Sequence, residues 1–210
     1  GLIAPDELTR HPEFDSGKVL FDEVTWYKMA VLTKVCQDFE GKASSLLKKS
    51  FNNFCENNAY WLDDYSQYWA LKEANNQKPW IDWKIKTVNN IDNIHYAKII
   101  QFIFHDHWNR LRQYCRDRGI QIIGDMPIYV GYDSSDVYAN QDLFELDKSG
   151  KMIYQGGCPP CEYQDEGQLW GNPLYNWEKH KETNFDWWKK RFEKLFEMVD
   201  IVRLDNFIGY

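Results

Sequence analysis

The chain has 210 residues, long enough for one full domain with a substantial core. Hydrophobic residues make up 43% and charged residues 27%, which excludes a disordered or collagen-like chain. The 25 Lys and Arg stand against 32 Asp and Glu, and a net charge of −7 argues against a nucleic-acid partner, which needs a basic face. The sequence lacks any apolar run long enough to span a bilayer, so no membrane partner is expected. The start, Gly1-Leu2-Ile3-Ala4-Pro5-Asp6, has neither a basic stretch nor an apolar stretch of a secretory leader, and it lacks an initiator Met. A slice of a longer cytoplasmic protein is the expectation. The five Cys form no disulfide framework, which suits a reducing compartment. Aromatic residues reach 17%, and such rings either build cores or stack on the C–H faces of sugars.

In chain order, Val24, Tyr27, Val31, Val35 and Phe39 recur three or four apart and predict a helix between Asp22 and Glu40. Two further helices are expected over Ser44 to Asn58 and Ala59 to Asn75, the second ended by Asn76-Gln77-Lys78-Pro79. A long helix follows from about Ile91 to Asp117, its apolar side marked by Ile99, Phe102, Trp108, Leu111 and Cys115, with Gly119 at the C′ position. Ile120 to Asp125 reads as a short buried strand ending in an acid. From Met126 to Asn176 the chain is rich in Gly and Pro and reads as a long loop of functional character, carrying one β-hairpin between Leu143 and Tyr154. Asn184 is a suitable N-cap for a helix bearing Phe185, Trp188, Phe192, Leu195, Phe196 and Val199, and Ile201 to Asp205 is a second strand ending in an acid. Residues 1–118 are thus mainly helical, and 119–210 hold strands with an inserted loop at 126–176. Strand, loop, helix, strand, with a carboxylate at each strand exit, is the pattern of an α/β protein, here part of a (β/α)8 barrel with a helix-rich subdomain.

Asp205, two residues after Arg203, is open to two readings. An ionised carboxylate held by a guanidinium suits a glycosidic nucleophile, and it equally suits a structural Arg–Asp pair closing a strand. Asp125 either binds sugar hydroxyls, braces the site or merely starts a loop. Glu162 and Glu166 are solvated loop charges or, less simply, a general acid. Cys158-Pro159-Pro160-Cys161 lacks the strand–helix context of a redox pair and the second ligand pair of a zinc site, so neither a redox role nor a metal is expected of it.

Three consecutive blocks resemble the 4-α-glucanotransferases of glycoside hydrolase family 77. They are Gly124-Asp125-Met126-Pro127-Ile128-Tyr129-Val130 with Asp133-Ser134-Ser135-Asp136-Val137; Gly157-Cys158-Pro159-Pro160 through Gly167-Gln168-Leu169-Trp170-Gly171-Asn172-Pro173-Leu174-Tyr175; and Phe196-Glu197 to Arg203-Leu204-Asp205-Asn206-Phe207. Gly1-Leu2-Ile3 and Val24-Thr25-Trp26-Tyr27-Lys28 resemble the preceding helical part. The resemblance implies a retaining transglycosylase acting on maltooligosaccharides or α-1,4-glucan without a cofactor. In it Asp205 matches the nucleophile, Arg203 the arginine that orients it, and Asp125 an aspartate near the cleaved sugar. Trp170 and Asn172 fall in a block lining the acceptor side, and Tyr163 on a loop folding over bound glucan. The sequence departs from the family at Cys161-Glu162, where Asp-Tyr is usual, and at Asn206 and Ile208, where His and Arg are usual. The resemblance places the acid/base glutamate and a third aspartate beyond Tyr210, so the 210 residues alone are expected to be inactive. An α-glucan hydrolase and a non-catalytic glucan-binding protein are the alternatives.

Overall fold

The computed structural model describes residues 20–89, 91–160, 162 and 165–210, residue 208 by its backbone. The first helix, α1 (Phe21–Lys42), buries Val24, Val35 and Phe39 of the stripe that the periodicity marks, together with Cys36, and leaves Tyr27 and Val31 half-buried. The two helices expected over 44–75 are one, α2 (Ser45–Ala74). Asn58 does not interrupt it, because its side-chain amide donates to the Phe54 carbonyl one turn back, 2.8 Å away, instead of competing for the local backbone. The helix stops where Asn76 and Gln77 adopt left-handed backbone, φ 56° and 61°. The Asn75 amide secures that stop, accepting from the N–H groups of Lys84 and Ile85 and donating to the Leu71 and Ile85 carbonyls.

Helix α3 (Ile91–Arg116) ends as expected on Gly119, at φ 68°. The Gly119 N–H donates to the Arg116 carbonyl and the Ile120 N–H to that of Cys115, so the last carbonyls are satisfied by a Schellman closure. Leu111, expected on the apolar side, is exposed, and its neighbour Arg112 is buried instead. The reason is polar. The Arg112 guanidinium donates to the Glu197 carbonyl and to Asp200, whose carboxylate also takes Arg116 and the Ile122 N–H.

The described chain forms two compact units. One comprises residues 20–66 and 91–104, with a core around Phe39, Leu62 and Ile99. In it Phe51 and Phe54 meet the Phe102 ring at centroid distances of 5.6 and 5.7 Å. The other comprises residues 67–89 and 105–210, with a core of Trp80, Trp83, Phe144, Tyr175 and Trp188 around Ile128 and Val137. Much of the aromatic content of the described residues is therefore spent on packing.

The second unit holds the α/β part. Strands β1 (Ile123–Met126) and β4 (Ile201–Leu204) pair in parallel, Ile123 opposite Ile201 and Asp125 opposite Arg203. Parallel neighbours need a crossover, and α6 (Asp186–Met198) is its helix. Among the described residues this parallel sheet has two strands. The connection from β1 to α6 contains α4 (Ser135–Ala139), an antiparallel ribbon of β2 (Gln155–Cys158) and β3 (Gln168–Pro173), and α5 (Trp177–Glu182). The hairpin expected over Leu143–Tyr154 is reduced to one bridge, Leu146 to Met152. Asp147 closes the turn with its side chain, accepting from the Ser149 and Lys151 N–H groups, while Phe144 pairs with Tyr175 instead. Asn184 is not an N-cap. It sits at φ 53° as the C′ residue of α5, with its N–H on the Lys181 carbonyl and the Phe185 N–H on that of His180. Asn favours both positions, and the Schellman bonds decide between them. Among the described residues no helix is long and apolar enough to cross a membrane.

Candidate active site

The parallel register places Asp125 and Arg203 side by side at the C-terminal ends of β1 and β4. Arg203 Nε donates to Asp125 Oδ1 at 3.0 Å and Nη2 to Oδ2 at 2.5 Å, a two-pronged contact across the strands. The same Nη2 lies 3.2 Å from Asp205 Oδ1. Arg203 thus bridges both acids, with its fork on Asp125, whereas the sequence alone suggests Asp205 as its partner. Distance explains the preference. Two residues along an extended strand are about 6.6 Å apart, but neighbouring strands only about 4.8 Å. Asp205 continues the ladder one step past β4, its N–H donating to the Met126 carbonyl at 3.1 Å.

The side chains of Asp125, Arg203 and Asp205 keep 49%, 62% and 51% of their surface, so all three are open to a ligand. Hydrogen bonding from Arg203 holds the Asp125 carboxyl below its ordinary range, and the two carboxylates push the Arg203 guanidinium above its own. Asp125 is accordingly an acceptor and not a proton donor near neutral pH. Past Asp205 the backbone turns left-handed at Asn206, φ 53°, and Phe207 is largely exposed.

Trp170 and Asn172 lie two apart on β3 and are tied to the loop that leaves β1. Asn172 Nδ2 donates to the Val130 carbonyl at 2.7 Å. The half-exposed Trp170 ring stands 6.1 Å from that of Tyr129, and its Nε1 donates to Gln168 Oε1. The β2–β3 ribbon closes tightly because Gly157 has no side chain; a Cβ there would lie 2.1 Å from the Gln168 carbonyl oxygen. Tyr163 and Cys161 lie outside the described residues, while Glu162 and Glu166 are exposed. Among the described residues no three His, Cys, Asp or Glu groups converge as metal ligands.

Three residues that sequence reasoning passes over also serve this site. The carbonyls of Met126, Pro127 and Ile128, which follow Asp125, are taken respectively by Tyr210 Oη, Arg191 Nη2 and the pair Tyr175 Oη with Arg191 Nη1. The only signal in the sequence was the Tyr175 that ends the Trp-Gly-Asn-Pro block. A backbone acceptor leaves no mark of its own.

The glycoside hydrolase 77 family, described as 4-alpha-glucanotransferase, matches residues 3–210. The 4-alpha-glucanotransferases of Aquifex aeolicus and Synechocystis are each 36% identical over the whole chain, which covers 46% and 44% of those proteins. That of Solanum tuberosum is 32% identical, with 38% of it covered. Among solved structures, an amylomaltase from Streptococcus agalactiae in complex with acarbose superposes with a TM-score of 0.90 at 32% identity, over all of this chain and 45% of that one. The chain spans less than half the length of these relatives. On the family match over nearly its whole length, with the acid-bearing strand exits in place, this chain belongs to the 4-alpha-glucanotransferase family.

Proposed function

We propose that these residues supply the nucleophile half of a retaining 4-α-glucanotransferase whose whole protein is a (β/α)8 barrel working in the cytoplasm on α-1,4-glucans or maltooligosaccharides. The single observation carrying the reading is Arg203 bridging Asp125 and Asp205 at adjacent parallel strand exits, in a chain of this family. Asp205 attacks the anomeric carbon of the donor sugar. The glycosidic C–O bond breaks as a covalent glycosyl ester forms, and a general acid protonates the departing oxygen. The 4-hydroxyl of an acceptor glucan then attacks the ester, giving its proton to the same group and freeing Asp205.

Arg203, 3.2 Å from Asp205 Oδ1, keeps that carboxylate oriented for the attack, while Asp125 binds a donor hydroxyl and steadies the fork. Since Asp125 is held ionised by Arg203, the proton comes from a further carboxyl group. Trp170 and Asn172 line the acceptor side, and Tyr163 covers bound glucan. Exclusion of water by that cover favours transfer over hydrolysis. No cofactor is needed. The acarbose bound by the amylomaltase neighbour is in keeping with an α-glucan ligand.

The test is disproportionation of maltotriose by the full-length protein. The wild type is expected to yield a maltooligosaccharide ladder, and Asp205→Asn to lose at least about a thousandfold in rate. Hydrolysis to glucose and maltose without a ladder would establish the hydrolase instead. Glucan binding without turnover would establish a non-catalytic protein.

A further inference from the structure

The exit of β1 is held by more than its strand partner. Past Met126 the chain leaves the ladder, and the carbonyls of Pro127 and Ile128 lose strand donors just beyond the residue that carries Asp125. Ile128 is buried, so an unsatisfied carbonyl there is costly, and a guanidinium can hold it together with the more exposed Pro127 carbonyl because its donors diverge in a fixed plane. Arg191, in the second turn of α6, does this: Nη2 donates to Pro127 O at 2.6 Å, and Nη1 to Ile128 O and Tyr175 Oη, each at 3.2 Å. Tyr175 adds its own bond to Ile128 O at 2.6 Å. The guanidinium is braced over the rings of Trp187 and Trp188, 5.4 and 4.9 Å from their centroids. Helix α6 leads directly into β4, the strand that presents Arg203 and Asp205. One side chain therefore ties the approach to one acid to the exit past the other.

We infer that Arg191 is a positioning residue of this site, its fork on the Pro127 and Ile128 carbonyls keeping Asp125 within the grip of Arg203. The inference rests on the functional reading above for its kinetic consequence, but not for its geometric one. Lysine at 191 keeps the charge over the Trp rings and loses the two-carbonyl fork, so Arg191→Lys separates bracing from positioning. Leu62→Ala, in the fully buried core of the other unit, serves as the control for general destabilisation.

In the full-length protein, Arg191→Lys is expected to lower kcat for maltotriose disproportionation about ten- to a hundredfold with KM changed less than about threefold, as a misplaced active-site group does. Leu62→Ala, assayed well below both melting points, is expected to leave kcat within about twofold. In the same protein, the ¹³C carboxyl resonance of Asp125 reports its titration: below the ordinary range in the wild type, and moved towards it by Arg191→Lys. Arg191→Lys with unchanged kcat, or with a loss no greater than that of Leu62→Ala, overturns the inference. An Asp125 titration unmoved by Arg191→Lys overturns it too, even in a protein that transfers no glucan. Absence of transfer by the wild type counts against the functional reading and leaves the Asp125 titration to decide this one.

Discussion

Replacing Gly124 with Ala is the most informative perturbation of the strand that carries Asp125. A Cβ there would lie 2.7 and 2.8 Å from the two γ carbons of Val199, where ordinary carbon contacts are about 3.5–4.0 Å. Val199 is buried at the C-terminal end of α6, so about 1 Å of movement has to come from the strand or the helix. Overpacking of that kind costs about 1–3 kcal/mol, and removal of a strand glycine returns about 0.5–1, leaving a net loss of up to about 2.5 kcal/mol. Val199→Ala alone deletes two buried methyl groups and costs about 1.5 kcal/mol. Together the changes relieve the clash, since the offending γ carbons are gone. The double variant is expected to be at least about 1 kcal/mol more stable than the sum of the single losses requires. Urea denaturation followed by tryptophan fluorescence reads all four corners of the cycle. Strict additivity would refute the steric reasoning.

Three further outcomes follow from the same structure. Arg203→Lys removes the fork that holds Asp125 and reaches Asp205, and transfer by the full-length protein should fall about a hundredfold, a loss that steady-state kinetics would detect and that retention of kcat would contradict. His180 is buried among Tyr175, Trp177 and Trp187, and burial holds its imidazole below the ordinary range, so its stabilising contribution is complete above the unfolded value of about 6.5 and is lost as pH falls below it. His180→Phe should therefore flatten the stability profile on the acid side of that value, and a profile of unchanged slope in urea melts at stepped pH would contradict this. Asp133 accepts from Tyr68 Oη at 2.7 Å and the Trp80 N–H at 3.0 Å and pairs with Lys72, so Asp133→Ala should cost on the order of 2 kcal/mol in a thermal melt, against no measurable loss were the cluster idle.

Much of this protein is legible along the chain because its helices and strand exits are local patterns. Val24, Val35 and Phe39 are buried as spaced, with Tyr27 and Val31 half-buried between them, and Gly119 ends α3 where only a residue at ease with positive φ fits. Both apolar runs that finish on an acid contain strands, although Ile123 and Ile201 are exposed on them where burial is expected. The three sequence blocks that carry the family resemblance are local in the same sense. What needed the tertiary structure was the choice among equally suitable partners. Asn184 suits either end of a helix, and only bonds to the His180 and Lys181 carbonyls make it the end of α5. Leu111 fits the apolar rhythm of α3 better than Arg112 does, yet the Glu197 carbonyl and Asp200 draw the arginine inward. Arg203 stands two residues from one acid and 78 from the other, and its fork goes to the distant one. Helices α1, α3 and α6, the two strands with acids at their exits and the family are readable along the chain, whereas the continuity of α2 and the ribbon of β2 and β3 are not. Register between β1 and β4 decided how those acids share one guanidinium, because cross-strand neighbours lie closer than residues two apart on the same strand.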